Sequence, residues 1–414
     1  SARVGRSSRL LLRPALARGL CAKESTYVQK CTRDTNPHEW AVFSKMDINH
    51  DGTITMAEIK DMCRKHDIDI MADVICKYLD DDGSGKINFD EFCAHYDMIQ
   101  MARKSARLKQ WHRTYGLGVA GNVAGHMEQA GEADKKEEGV DDKTMPPEGQ
   151  KTPAAIFTFY APHPHSVDES ADEVLHRLEA FPVATAVIEY PKAGGHVQVE
   201  PEMGMYADIV YSADGSKVER LVPRKVAAFN DCSIRKLDGA DKLSMKKNWG
   251  SSSKGISIRS FPITSLDPGT LVDQLVLTSY IKSGPNHVGD AITTPKGAIV
   301  KYSEDAPARN YMLFGPALLD WIVDRINFQE DTDKWEPVFP VMKKSEYPTS
   351  IWVALGAGEY TEWGQKNFLQ PGDESLVIIY DEKKYPKGPS ELEVSALMDE
   401  YPAPDGIIAV HQTF

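Results

Sequence analysis

Apolar residues recur at helical spacing in three sets near the start of the chain: Trp40, Phe43 and Met46; Ile70, Val74, Ile75 and Leu79; then Phe89, Phe92 and Tyr96. Positions three and four apart share one helix face, so each set predicts a buried stripe. Asn36 before Pro37 supplies an N-cap and a first-turn proline for the first helix. Between the stripes lie two polar stretches of twelve residues, DINHDGTITMAE (Asp47 to Glu58) and DDDGSGKINFDE (Asp80 to Glu91). Residues 98–113 predict the basic tail of a last helix, and residues 132–151 a polar loop. From residue 154 the period shortens. Alternating or continuously apolar runs at 154–160, 184–190, 206–211, 226–229, 351–355 and 375–380 predict strands, and 168–179, 271–281 and 316–327 predict helices.

The two polar stretches carry the clearest chemistry. A calcium ion takes six to eight oxygens at about 2.3 to 2.6 Å, supplied in a helix-loop-helix unit from loop positions 1, 3, 5, 7, 9 and 12. In the first stretch these are Asp47, Asn49, Asp51, the Thr53 carbonyl, Thr55 and Glu58; in the second, Asp80, Asp82, Ser84, the Lys86 carbonyl, Asn88 and Glu91. Gly52 and Gly85 hold position 6, where the sharp turn disfavours a Cβ. Ile54 and Ile87 fall where paired loops join through a short strand contact. The arrangement resembles an EF-hand pair and implies calcium; a degenerate or magnesium-holding pair is the alternative. Met46, Met56, Met62 and Met71 fit a calcium sensor's groove and an ordinary core alike.

Composition sets bounds. The chain has 414 residues, a formal net charge of -13, 41% hydrophobic and 26% charged residues. These values describe a globular protein of two or three domains, and the acidity argues against a nucleic-acid partner. No apolar run approaches the roughly 20 residues of a membrane helix. Cys21, Cys31, Cys63, Cys76, Cys93 and Cys232 show no C-x-x-C spacing and read as reduced thiols. Residues 1–23 contain no acidic side chain, while Arg3, Arg6, Arg9, Arg13, Arg18 and Lys23 punctuate Ser, Ala and Leu. That profile favours a mitochondrial transit segment over a basic arm docking on an acidic partner or lipid head groups.

In the second part, Glu200 and Glu202 stand two apart around Pro201. On a strand they share a face, and Asp231, after the apolar run 226–229, brings a third carboxylate. Three carboxylates with waters make a reasonable magnesium or manganese site, although two glutamates on one strand face are more often simply solvated.

Ordered segments give this region a further meaning. GVAGNVAGHMEQAG (118–131), Glu200-Pro201-Glu202, Asn230-Asp231-Cys232-Ser233-Ile234-Arg235, Lys246-Lys247-Asn248-Trp249-Gly250, Gly356-Ala357-Gly358 and Phe368-Leu369-Gln370-Pro371-Gly372-Asp373 resemble, in order, motifs of the fumarylacetoacetate hydrolase family, including a little-characterised bacterial branch. The resemblance implies a mixed β-roll and hydrolysis, decarboxylation or isomerisation of small oxo acids. It implies that Glu200, Glu202 and Asp231 hold magnesium or manganese, that Lys246 or Lys247 and Arg235 bind the substrate carboxylate or oxyanion, and that His126 is the general base. His126 also fits a structural histidine in a Gly-rich turn, and His163 and His165 read as surface residues. Gln129 replaces the glutamate that pairs with the family's histidine, and Val123 replaces its tyrosine. A glutamine does not stabilise an imidazolium as a carboxylate does, so metal binding is better supported than hydrolysis.

The expected fold class is α+β: a basic arm (1–34), an all-α EF-hand pair (35–113) and a mixed β-roll domain (114–414). Two functions follow. One is a calcium-binding, metal-dependent enzyme acting on an oxo acid, typically a homodimer. The other is a non-catalytic accessory subunit of a large mitochondrial assembly, with protein partners and an enzyme fold kept for its shape.

Overall fold

The computed structural model describes residues 31–33, 36–65, 79–96, 111, 113–123, 152–162, 178–184, 186–191, 195–235, 237, 239, 242–250, 252–284, 287, 297–401 and 403–414. Residues 1–30 of the basic arm, His126, Gln129, His163, His165, the Ile70, Val74 and Ile75 stripe, the polar loop 132–151 and residues 168–177 of an expected helix lie outside them. The chain divides into two compact units, Ser1–Ile99 and Gln100–Phe414.

In the first unit, the helices Pro37–Met46, Met56–Lys65 and Phe89–Ala94 alternate with the two-residue strands Ile54–Thr55 and Lys86–Ile87. The strands pair antiparallel with Ile54 opposite Ile87, as the loop pattern predicts. Phe43, Met46, Ile54, Ile59, Leu79, Ile87 and Phe92 form the core, so the described apolar stripes do face inward. Pro37 opens the first helix, but the Asn36 side chain does not cap it.

In the second unit, an eight-stranded sheet runs Ala155–Tyr160, Thr114–Ala120, Ser350–Ala357, Pro201–Tyr211, Val218–Asn230, Lys254–Ile256 and Val183–Ala184, with Phe261–Pro262 also on Val218–Asn230. A four-stranded sheet runs Ile299–Pro307, Leu275–Lys282, Glu374–Asp381 and Ile407–Thr413. One continuous core, including Met203, Val226, Leu277 and Ile379, draws on strands of both sheets. The α+β expectation therefore stands. Trp111, placed with the calcium loops by its sequence position, belongs to this unit: its ring packs against Tyr160, Phe181 and Trp352.

Two elements depart from the sequence expectation. Residues 271–281 are not a helix: a 3-10 turn, Leu271–Gln274, leads into the strand Leu275–Lys282, which is paired on both sides. Leu275, Leu277 and Ile281 fit a period of two as well as a helical stripe, and the sheet decides between them. The expected strand at 184–190 shrinks to Val183–Ala184 and an isolated bridge at Val187, whose side chain is exposed. The helix expected at 316–327 is present as Pro316–Phe328.

Candidate functional site

Backbone conformation and amide hydrogen bonds shape both loops. Gly52 and Gly85 take φ of 81° and 79°, the left-handed region that position 6 requires. In the second loop Asp80 accepts the Ser84 and Gly85 amides, each at 2.9 Å. Glu91, in the first turn of the exit helix, accepts the Asp81 amide at 3.0 Å through Oε1 and the Asn88 amide at 2.9 Å through Oε2. Asn88 returns a capping bond by accepting the Glu91 amide at 3.0 Å. This reciprocal box fixes both the helix start and the position-12 carboxylate. Glu58 repeats the arrangement in the first loop, accepting Ile48 and Thr55 amides at 2.9 and 2.8 Å.

The donor atoms of Asp80, Asp82 and Glu91 lie within 4.8 Å of one another. A calcium ion about 2.4 Å from each fits among them, so the residues present suit this ion. The Ser84 hydroxyl, and then its amide, hold the Asp82 carboxyl below its usual range. Lys86 reaches Asp51 of the other loop at 3.6 Å, an exposed contact that salt or an incoming ion displaces easily.

A second carboxylate trio, Glu200, Glu202 and Asp231, also gathers its donor atoms within 4.8 Å. Strand register puts it there. Asn230 pairs with Pro201 on one side and Gly255 on the other, so Glu200, Glu202, Asp231 and Lys254 meet at one end of three neighbouring strands. The Asp231 amide donates to the Glu200 carbonyl at 2.9 Å, locking the crossover. Glu202 Oε2 accepts the Gly356 amide at 2.7 Å. At Gly356, φ is 126° and an added Cβ would stand 2.8 Å from Asn122 Cβ, so a side chain there would disturb that amide. Asn122 is itself buried, donating to the Leu355 carbonyl and accepting from the Leu313 amide. Asn122 thus braces the strand end whose Gly356 amide holds Glu202.

Three cations surround this trio. Lys247 Nζ donates to Glu200 Oε2 at 2.5 Å and to Asp231 Oδ2 at 2.8 Å. Arg235 meets Glu200 Oε1 at 2.8 Å, and donates to Gln198 Oε1 at 2.7 Å and the Tyr360 hydroxyl at 2.6 Å. Lys254 Nζ lies 3.1 Å from Asp231 Oδ1 and donates to the Cys232 carbonyl at 2.6 Å. Lys247 is 2% exposed, while Lys254 and Asp231 are fully buried. Burial, followed by the Asp231 and Glu200 carboxylates, pushes the Glu202 carboxyl well above the usual range. Burial also lowers Lys254 against the pull of Asp231, and raises the Cys232 thiol to about 12.

The expected residues are therefore partly assembled. Glu200, Glu202, Asp231, Lys247 and Arg235 come together. Lys246, half-buried on the same short helix, makes no described contact with the carboxylates. Lys254 is the member that sequence reasoning missed; a lysine flanked by Ser253 and Gly255 at the start of a buried strand was its only signal. Asp373, from the last resembling segment, takes a different part. It accepts the Gly284 and Gln370 amides and contacts His287 Nδ1, each at 2.8 Å, and so fixes a buried turn.

The trio's oxygens alone would suit magnesium or manganese. The full set of residues does not. Lys247 bridges the facing oxygens of Glu200 and Asp231, and an ion at about 2.1 Å from both would collide with its ammonium. Lys247, Arg235 and Lys254 already pair with Glu200 and Asp231.

Comparison with known proteins places both units. The model of the EF-hand domain pair matches residues 38–96. The chain belongs to a family of unknown function (DUF5718), whose model matches residues 138–413. No curated protein matches. Among solved structures, the second unit matches proteins of the fumarylacetoacetate hydrolase family. A family member from Yersinia pestis is 14% identical at a TM-score of 0.32, over 64% of this chain and 88% of that one. A 5-carboxymethyl-2-hydroxymuconate delta-isomerase from Mycobacterium smegmatis is 13% identical at 0.33, over 72% and 78%. An uncharacterised protein from Mycobacterium abscessus is 12% identical at 0.36, over 72% and 77%.

Proposed function

We propose that this is a calcium-binding protein whose C-terminal domain serves as a folded platform, rather than as a metal-dependent oxo-acid enzyme. One observation carries the calcium reading: the donor atoms of Asp80, Asp82 and Glu91 gather within 4.8 Å of one another, and Glu58 is held over the first loop as Glu91 is over the second. A calcium ion would use these carboxylate oxygens and neutralise the crowded acids. The Ile54–Ile87 strand contact ties the two loops together, so an ion in one stiffens the other.

The acid-free basic residues 1–23 support a mitochondrial location. With a calcium-loaded pair at one end and a closed charge cluster in the other unit, an accessory subunit of a larger mitochondrial assembly is the role these features favour. The alternative, hydrolysis, decarboxylation or isomerisation of a small oxo acid, draws on Glu200, Glu202, Asp231 and Arg235. It requires Lys247 to leave the carboxylates.

Calorimetric titration of the full chain tests the reading. Wild type takes up calcium with dissociation constants in or below the range of about 10⁻⁷ to 10⁻⁵ M known for regulatory loops, and Glu58→Gln/Glu91→Gln abolishes the signal. Absence of calcium binding in wild type would sink the proposal. Turnover of oxaloacetate or acylpyruvates with magnesium or manganese, lost in Glu200→Ala, would replace the platform reading with the enzymatic one.

A further inference from the structure

We infer that the Lys247 ammonium is the resident cation of the Glu200, Glu202 and Asp231 cluster, holding the position a divalent ion would take, so that the C-terminal domain keeps its carboxylates together without a metal.

The ammonium is built in rather than draped over the site. Lys247 ends the short helix Ser244–Lys247, and the next residue anchors it: Asn248 donates through Nδ2 to the Phe159 and Ala180 carbonyls at 2.8 and 3.1 Å. From that fixed base Nζ reaches Glu200 and Asp231 at once, and the Phe157 ring centroid lies 5.0 Å away on another side. Two carboxylates and an aromatic face therefore share one buried charge, a set of partners that suits an ammonium.

The other cations already occupy the remaining oxygens of Glu200 and Asp231. Arg235 compensates Glu200 on its second oxygen and Lys254 stands beside Asp231 on its other oxygen. A magnesium or manganese ion would have to displace the buried Lys247 ammonium, and would add two positive charges beside three cationic side chains. Buried charges are tolerated only when paired, so the displaced ammonium opposes metal entry twice, by its own desolvation and by repulsion. The inference rests on the cluster alone and stands or falls independently of calcium at the loops.

The test uses the full chain carrying Glu58→Gln/Glu91→Gln, which silences the loops, titrated with manganese and read by the electron paramagnetic resonance signal of the free ion. With Lys247 intact, no saturable manganese binding is expected. Adding Lys247→Met, which keeps the apolar stem and removes the charge, should create one saturable manganese site that Glu200→Gln removes again. If the Lys247→Met protein folds only when manganese is present, that dependence supports the inference equally. Saturable one-to-one manganese binding with Lys247 in place, abolished by Glu200→Gln, would overturn it, and the intact background decides this even if no Lys247 variant can be made.

Discussion

The two carboxylate trios, Asp80–Asp82–Glu91 and Glu200–Glu202–Asp231, bring their oxygens equally close, yet they are opposite kinds of site. In the loop, the counter-charge comes from backbone amides and one hydroxyl, weak dipoles on an exposed turn that a divalent ion outcompetes. In the C-terminal unit it comes from two ammoniums and a guanidinium in a buried core. Closeness of carboxylates does not define a metal site; what already balances them does. The loop's acids are balanced by dipoles, and two of the buried cluster's acids by cations that are part of the chain.

The contrast can be broken from either side. Lys247→Met should have the largest effect: removing one partner of a buried ion network costs about 3 to 5 kcal/mol, read as a lower denaturant midpoint for the C-terminal unit with calcium uptake at the loops unchanged. Gly356→Ala comes next. Its Cβ would press on Asn122 at a φ of 126°, costing about 1 to 3 kcal/mol and shifting the amide that holds Glu202; thermal unfolding measures it. Glu91→Gln should weaken calcium binding at the second loop by at least about tenfold, because affinity in such loops follows ligand charge, while the unfolding of the C-terminal unit stays put. Asn88→Ala should do least. It removes the cap and costs about 1 kcal/mol of exit-helix stability, seen as a modest loss of calcium affinity and of helical signal in the calcium-free protein.

The same contrast explains what could be read from the sequence. The EF-hand pair was legible as a motif because the donors of each loop lie in twelve consecutive residues whose order is set by backbone geometry. The buried cluster was legible in its carboxylates, which share a strand face and a strand end, and in Lys247 and Arg235 as nearby cations. The direction those cations take was not legible. Lys247 turns inward because Asn248 pins its short helix to two backbone carbonyls of other segments, and Lys254 joins because its strand pairs with Asn230. Both facts arise from long-range pairing that no local spacing records. The strand Leu275–Lys282 was misread as a helix for the same reason, since its pattern suits either period until partners appear on both sides.

The most direct measurement is the metal content of the purified full chain, compared with Glu58→Gln/Glu91→Gln, after exposure to calcium, magnesium and manganese and removal of free ions. Calcium in wild type, and no divalent ion retained in the double variant, is the expected result. Magnesium or manganese that remains in the double variant and leaves on Glu200→Gln would contradict the closed, metal-free cluster.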